Sequence, residues 1–121
     1  ARDTQGNSVS LSLLRGRTVV LLFWSSGCGA CKYAYQDLKA LQKARPGEIS
    51  IVGISGDSSR SDFDRTIAEY GFNWQNILDG NDFLGPISKL YSIDRYPAIF
   101  VINEKGIISS HSYQGLFPKK T

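Results

Sequence analysis

Cys28 and Cys31 are the two cysteines of this 121-residue chain, and they lie in one short motif, Cys28-Gly29-Ala30-Cys31. The motif follows the apolar run Val19-Val20-Leu21-Leu22-Phe23-Trp24 and a small turn, Ser25-Ser26-Gly27. After it, Ala34, Leu38 and Leu41 recur at helical spacing. A C-x-x-C therefore stands where a buried strand ends and a helix begins. The first N–H groups of a helix lack intrahelical partners, and the macrodipole concentrates positive charge there. A thiolate at that place is stabilised, so the Cys28 pKa is expected below the ~8.5 of a free cysteine. Cys31, one turn further in, is expected to be shielded. The chemistry this suits is thiol–disulfide exchange: Cys28 attacks, and Cys31 resolves the mixed disulfide. Gly29 and Ala30 leave the Cys28 sulfur uncovered, and Lys32 adds a positive charge, so these three are the expected redox-tuning positions.

Stapling is the weaker reading of the pair. A structural framework spreads its cysteines along the chain, and closing so short a loop stabilises by only ~2 kcal/mol in the loop-entropy model. Half of a zinc site needs four ligands in all, and the one histidine, His111, is remote in sequence and reads as a strand residue. No metal site is expected.

Composition limits the alternatives. Hydrophobic residues make up 41% and charged residues 21%, as in a folded domain, and 14 basic against 11 acidic residues leave a net charge of +3 without a basic stripe. Nucleic-acid binding is not expected. No run approaches the ~20 apolar residues of a membrane-spanning helix. The chain lacks methionine and opens on a polar stretch, residues 1–8. It reads as processed or trimmed, with any signal or membrane anchor lying outside it. Residues 1–121 are expected to form one domain.

The elements that must hold the motif follow in order. Val9–Leu13 alternates, as a short edge strand would. Thr18–Trp24 is a strand, Gly29 to about Arg45 a helix stopped by Pro46-Gly47, and Ile49–Ser55 a second buried strand. Ser61-Asp62-Phe63-Asp64 resembles a capping box, opening a helix that Gly71 ends. Trp74–Leu78 is a short extended piece. One helix is expected from Asp82 to about Tyr91, with Pro86 in its first turn. Ala98–Ile102 and Ile107–His111 form an antiparallel hairpin about Asn103–Gly106. The order gives an α/β fold: a central mixed β-sheet with helices on both faces.

On these features the chain resembles the thioredoxin superfamily, and within it the TlpA/ResA-like extracytoplasmic thiol–disulfide oxidoreductases. The resemblance rests on Leu11–Arg17 ahead of the first strand, Phe23-Trp24 leading to Cys28–Lys32, Val52–Asp57, Tyr91–Pro97 and Phe100–Gly106. It implies a thioredoxin-like fold with an inserted helical segment between Ser59 and Tyr91, and a last helix that is absent or trimmed. It implies a cis Pro97 facing the cysteines, with the Tyr96 backbone turned toward an extended substrate. Tyr96, Pro97, Trp24 and Gly27 are thus the expected substrate-binding residues, although Trp24 is mainly core. The implied partners are protein thiols and disulfides and an upstream electron donor or acceptor. The implied setting is a monomer outside the cytoplasm, with no cofactor beyond the redox-active Cys28–Cys31 disulfide.

The chain departs from the family's pattern in places. Gly27 replaces an aromatic residue before the first cysteine. Leu22 and Ala34 stand where relatives carry buried carboxylates, so no proton acceptor for Cys31 is evident. Asp57 and Glu104 read as solvated turn residues, and Tyr33 and Tyr35 as helix surface. Two other functions remain open: a thiol peroxidase, since peroxiredoxins share this fold, and a metal-binding domain that uses both thiols as ligands.

Overall fold

The computed structural model describes residues 17–110. The Val9–Leu13 strand, His111 and any last helix lie outside these residues. Within them, β1 (Thr18–Trp24), α1 (Cys31–Ala44), β2 (Ile49–Ser55), α2 (Arg60–Tyr70), β3 (Gln75–Leu78), α3 (Pro86–Leu90), β4 (Ala98–Ile102) and β5 (Ile108–Ser110) follow in order. The sheet runs β3-β2-β1-β4-β5. β1 pairs in parallel with β2, and β2 with β3, whereas β4 runs antiparallel to β1 and β5 antiparallel to β4.

β1 is central because both its faces are apolar. Val20, Leu22 and Trp24 point to one side, where they pack with Ala34, Tyr35, Leu38 and Leu41 of α1 and Phe63 of α2. Val19, Leu21 and Phe23 point to the other, with Val52, Ile54, Phe100 and the half-buried Ile87 of α3. Each such side chain contributes about 1.5–3 kcal/mol on burial, against about 1–2 kcal/mol for ordering a residue's backbone. The expected mixed sheet with helices on both faces is the fold observed.

Local chemistry shifts several expected boundaries. α1 begins at Cys31, not Gly29; Ala30 is its N-cap residue and makes no side-chain cap bond. α2 is capped by Ser59, whose Oγ accepts from the Asp62 N–H at 3.2 Å, so the capping frame lies two residues earlier than Ser61. Gly71 ends α2 with φ of 62°. The single helix expected from Asp82 is two pieces, a 3-10 turn at Asp82–Leu84 and then α3. Pro86 forces the break, because the residue before a proline is pushed to extended backbone and Gly85 sits at φ −63°, ψ 154°. Asp79, not Asp82, satisfies the start of α3, accepting from the N–H groups of Ile87 at 3.0 Å and Ser88 at 2.9 Å.

Candidate active site

The carboxyl end of β1 delivers the cysteine turn. The Cys28 N–H donates to the Ser25 carbonyl at 3.1 Å, and the Cys31 N–H to the Cys28 carbonyl at 3.2 Å. The two sulfurs form a disulfide, with Cα atoms 5.4 Å apart. Cys28 is half-buried and Cys31 is 0% exposed, so the two cysteines differ in accessibility. The first turn of α1 holds no acidic residue. The Lys32 ammonium lies 5.2 Å from the Tyr33 ring centroid, on the exposed side of the helix. A Cβ built at Gly27 or Gly29 would meet no non-adjacent residue within 4 Å, so neither glycine flanking Cys28 is crowded.

β4 brings the second half of the site. Phe23 pairs with Ala98, so Trp24 and Pro97 lie one step further along the same pair of strands. The Tyr96–Pro97 peptide is cis. The Tyr96 ring turns inward and stacks on Phe83, with centroids 4.7 Å apart. Its hydroxyl is buried, without a hydrogen-bond partner among the described residues, and lies against Gly56, where a Cβ would overlap it. Burial, then the nearby Asp82, Asp57 and Asp79, push the Tyr96 pKa up to about 12.

Three expectations about side chains are corrected. Trp24, expected beside the substrate, is 0% exposed in this arrangement; it stacks on Phe63 and donates from Nε1 to Asn76 Oδ1 at 3.3 Å. Tyr35 is buried against Trp24 and Phe72 instead of lying on the helix surface, and burial, then Tyr70 and Asp57, raise its pKa. Asp57 is 8% exposed, not a solvated turn residue. Its carboxylate accepts from the Ser26 N–H at 2.9 Å, Ser26 Oγ at 2.8 Å and Ser55 Oγ at 2.9 Å. The signal that could have found Asp57 is its place just beyond β2, since functional groups of parallel sheets gather at the carboxyl ends of strands. Tyr33 and Glu104 are exposed, as expected. Among the described residues, no three His, Cys, Asp or Glu side chains group as metal ligands.

The tyrosines give a pH prediction. An unfolded tyrosine ionises near pH 10, whereas Tyr96 holds its proton to about 12. In that window the native state binds more protons than the unfolded chain, so stability falls as pH rises. Denaturant midpoints should be level up to about pH 9 and fall by about pH 11, less steeply in Tyr96→Phe. Equal midpoints at the two pH values would contradict the burial of these phenols.

The AhpC/TSA family model matches residues 1–111. The chain belongs to the AhpC/TSA family. It is similar to the thiol-disulfide oxidoreductase ResA of Oceanobacillus iheyensis, 32% identical over 89% of this chain and 55% of that one. ResA of Bacillus subtilis is 28% identical over 86% of this chain and 57% of its own length. The chain thus spans little more than half of these relatives. Among solved structures, the thioredoxin domain of a thiol-disulfide oxidoreductase from Bacteroides vulgatus superposes with a TM-score of 0.80 at 30% identity, covering 88% of this chain and 77% of that one. These AhpC/TSA relatives bear out the thioredoxin-like fold and the ResA-like resemblance read from the motifs.

Proposed function

We propose that this chain is a thiol–disulfide oxidoreductase domain acting on protein cysteines. The observation that carries the reading is the Cys28–Cys31 disulfide at the mouth of α1, with Cys28 half-buried and Cys31 fully buried. In the reduced protein, the Cys28 thiolate attacks one sulfur of a substrate disulfide. That S–S bond breaks, the departing thiolate takes a proton, and a mixed disulfide remains on Cys28. Cys31, deprotonated, then attacks the Cys28 sulfur and expels the second substrate thiolate, which is protonated in turn. The substrate gains two electrons and two protons, and the protein is left as the disulfide. The same steps reversed oxidise a dithiol.

Pro97 and the Tyr96 backbone are proposed to hold the substrate strand beside Cys28, with Gly27 leaving room for it and Gly29, Ala30 and Lys32 setting thiolate stability. The setting proposed is outside the cytoplasm, with an upstream partner that restores the working redox state. Which direction dominates depends on potential, and proteins of this kind span ~150 mV, about 7 kcal/mol for two electrons.

Reduction of insulin disulfides by the protein with dithiothreitol, and equilibration with glutathione, test the proposal. Catalysed insulin reduction and a two-electron equilibrium between dithiol and disulfide are expected. Fast, stoichiometric thiol loss to hydrogen peroxide without insulin reduction would favour a thiol peroxidase. Stoichiometric copper or zinc binding that survives a chelator, with no cycling, would favour a metal-binding domain.

A further inference from the structure

We propose that Asp57 is a positioning residue of the redox site: its carboxylate fixes the Ser25–Ser26 peptide, and through that plane the place of Cys28. The inference rests on the thiol-exchange reading above. The parallel β1–β2 ladder has its last pair at Trp24 and Ser55, and the Gly56 N–H still reaches the Trp24 carbonyl at 2.9 Å. One step on, the Ser26 N–H finds no backbone carbonyl among the described residues; the Asp57 side chain takes it instead, through Oδ1 at 2.9 Å and Oδ2 at 3.2 Å. The Ser26 hydroxyl adds a third contact, 2.8 Å from Oδ1. The carboxylate is itself tethered, because Ser55 Oγ donates to Oδ2 at 2.9 Å and accepts from the Asp57 N–H at 3.0 Å. Ser55 is fully buried.

The link to the cysteine is covalent geometry. The Ser26 N–H and the Ser25 carbonyl belong to one rigid, planar peptide unit. Asp57 holds the N–H edge, and the carbonyl edge accepts the Cys28 N–H at 3.1 Å. Tilting that plane moves Cys28 relative to the mouth of α1, where a thiolate gains from the helix field. Ser55 and Gly56, the two residues before Asp57, reach the other half of the site: the Ser55 carbonyl accepts from the Asp79 and Gly80 N–H groups, the Gly56 carbonyl accepts from the Asp82 N–H, and Gly56 lies under the Tyr96 hydroxyl.

Position and charge predict opposite results. As a nearby negative charge, Asp57 would oppose the Cys28 thiolate, and removing it would lower the Cys28 pKa. As a positioning group, its loss raises that pKa. Asparagine can keep the geometry, accepting both Ser26 donors on Oδ1 and donating to Ser55 Oγ from Nδ2. In reduced protein, Asp57→Ala is expected to raise the Cys28 pKa by about one unit by thiolate absorbance, and to slow iodoacetamide alkylation at neutral pH about tenfold, the factor one unit carries. Asp57→Asn should come back to within about threefold of wild type. Ser55→Ala, which keeps the charge but removes its tether, should move both readouts the same way by a smaller factor; it also decides the matter if Asp57→Ala fails to fold. A lower pKa in both Asp57 variants, or no shift in folded Asp57→Ala and Ser55→Ala, overturns the proposal. Titration and alkylation need no substrate, so a wild-type protein inert toward insulin would defeat the thiol-exchange reading and leave this test standing.

Discussion

A Cys31→Ser variant should stall on its substrate, whereas Cys28→Ser should never engage it. The half-buried Cys28 can meet an incoming disulfide, but Cys31 is 0% exposed and reaches only the Cys28 sulfur. Without Cys31, the mixed disulfide must wait for a thiol from solution. Well-oriented intramolecular groups act at effective concentrations of about 10⁵ M or more, so a millimolar external thiol is a poor substitute. With a peptide disulfide, Cys31→Ser should accumulate a covalent adduct visible by mass and released by dithiothreitol. Insulin reduction by Cys28→Ser should drop to the uncatalysed rate, with no adduct. An adduct on Cys31 in the Cys28→Ser protein, or retained turnover there, would reverse the assigned roles and contradict the burial of Cys31.

Where the chain states its own local chemistry, reading and structure agree. β2 runs from Ile49 to Ser55 as read, because its apolar and β-branched residues are bounded by Pro46-Gly47 and by Gly56-Asp57. β4 opens directly after Pro97 for the same kind of reason. Agreement fails where two local signals compete. Ser59 and Ser61 could each cap α2, and only the geometry chooses Ser59. Gly85-Pro86 divides a stretch whose helical spacing suggested one helix, and Asp79, seven residues before Pro86, completes the second piece.

The site divides along the same line. The cysteines were legible because their partner is three residues away. Pro97 was legible through the family pattern, and its register opposite the end of β1 is a property of the sheet. Asp57 was legible only as a position just beyond β2, not as a partner of the cysteine turn. Its principal partner, Ser26, is 31 residues distant, and an acidic residue after Gly56 has every mark of a solvated turn. Only the parallel pairing of β1 with β2 turns it toward the redox turn. Tyr35 failed for another reason. It lies on the helical face of Cys31 and Leu38, but a tyrosine fits both a core and a surface, and the aromatic pocket of Trp24, Tyr70 and Phe72 decides it.

That pocket carries the second large effect. Trp24 ends β1, immediately before the cysteine turn, and its indole stacks on Phe63 with centroids 5.8 Å apart. Phe72 meets it edge-on at 5.3 Å and Tyr35 at 6.1 Å, while Nε1 donates to Asn76. Trp24→Ala should cost about 3–5 kcal/mol, the range for emptying a buried aromatic site, out of a typical total of about 5–15 kcal/mol. The melting temperature of the oxidised protein should fall by on the order of 10–20 °C. Trp24→Phe keeps a ring in the stack but leaves Asn76 Oδ1 without its donor, a loss of about 1–3 kcal/mol. Because Trp24 is fully buried in this arrangement, Trp24→Phe assayed well below its melting point should keep most of its insulin-reducing rate. A stable Trp24→Phe protein that had lost turnover would mean that the indole reaches the substrate side of the turn, against its complete burial.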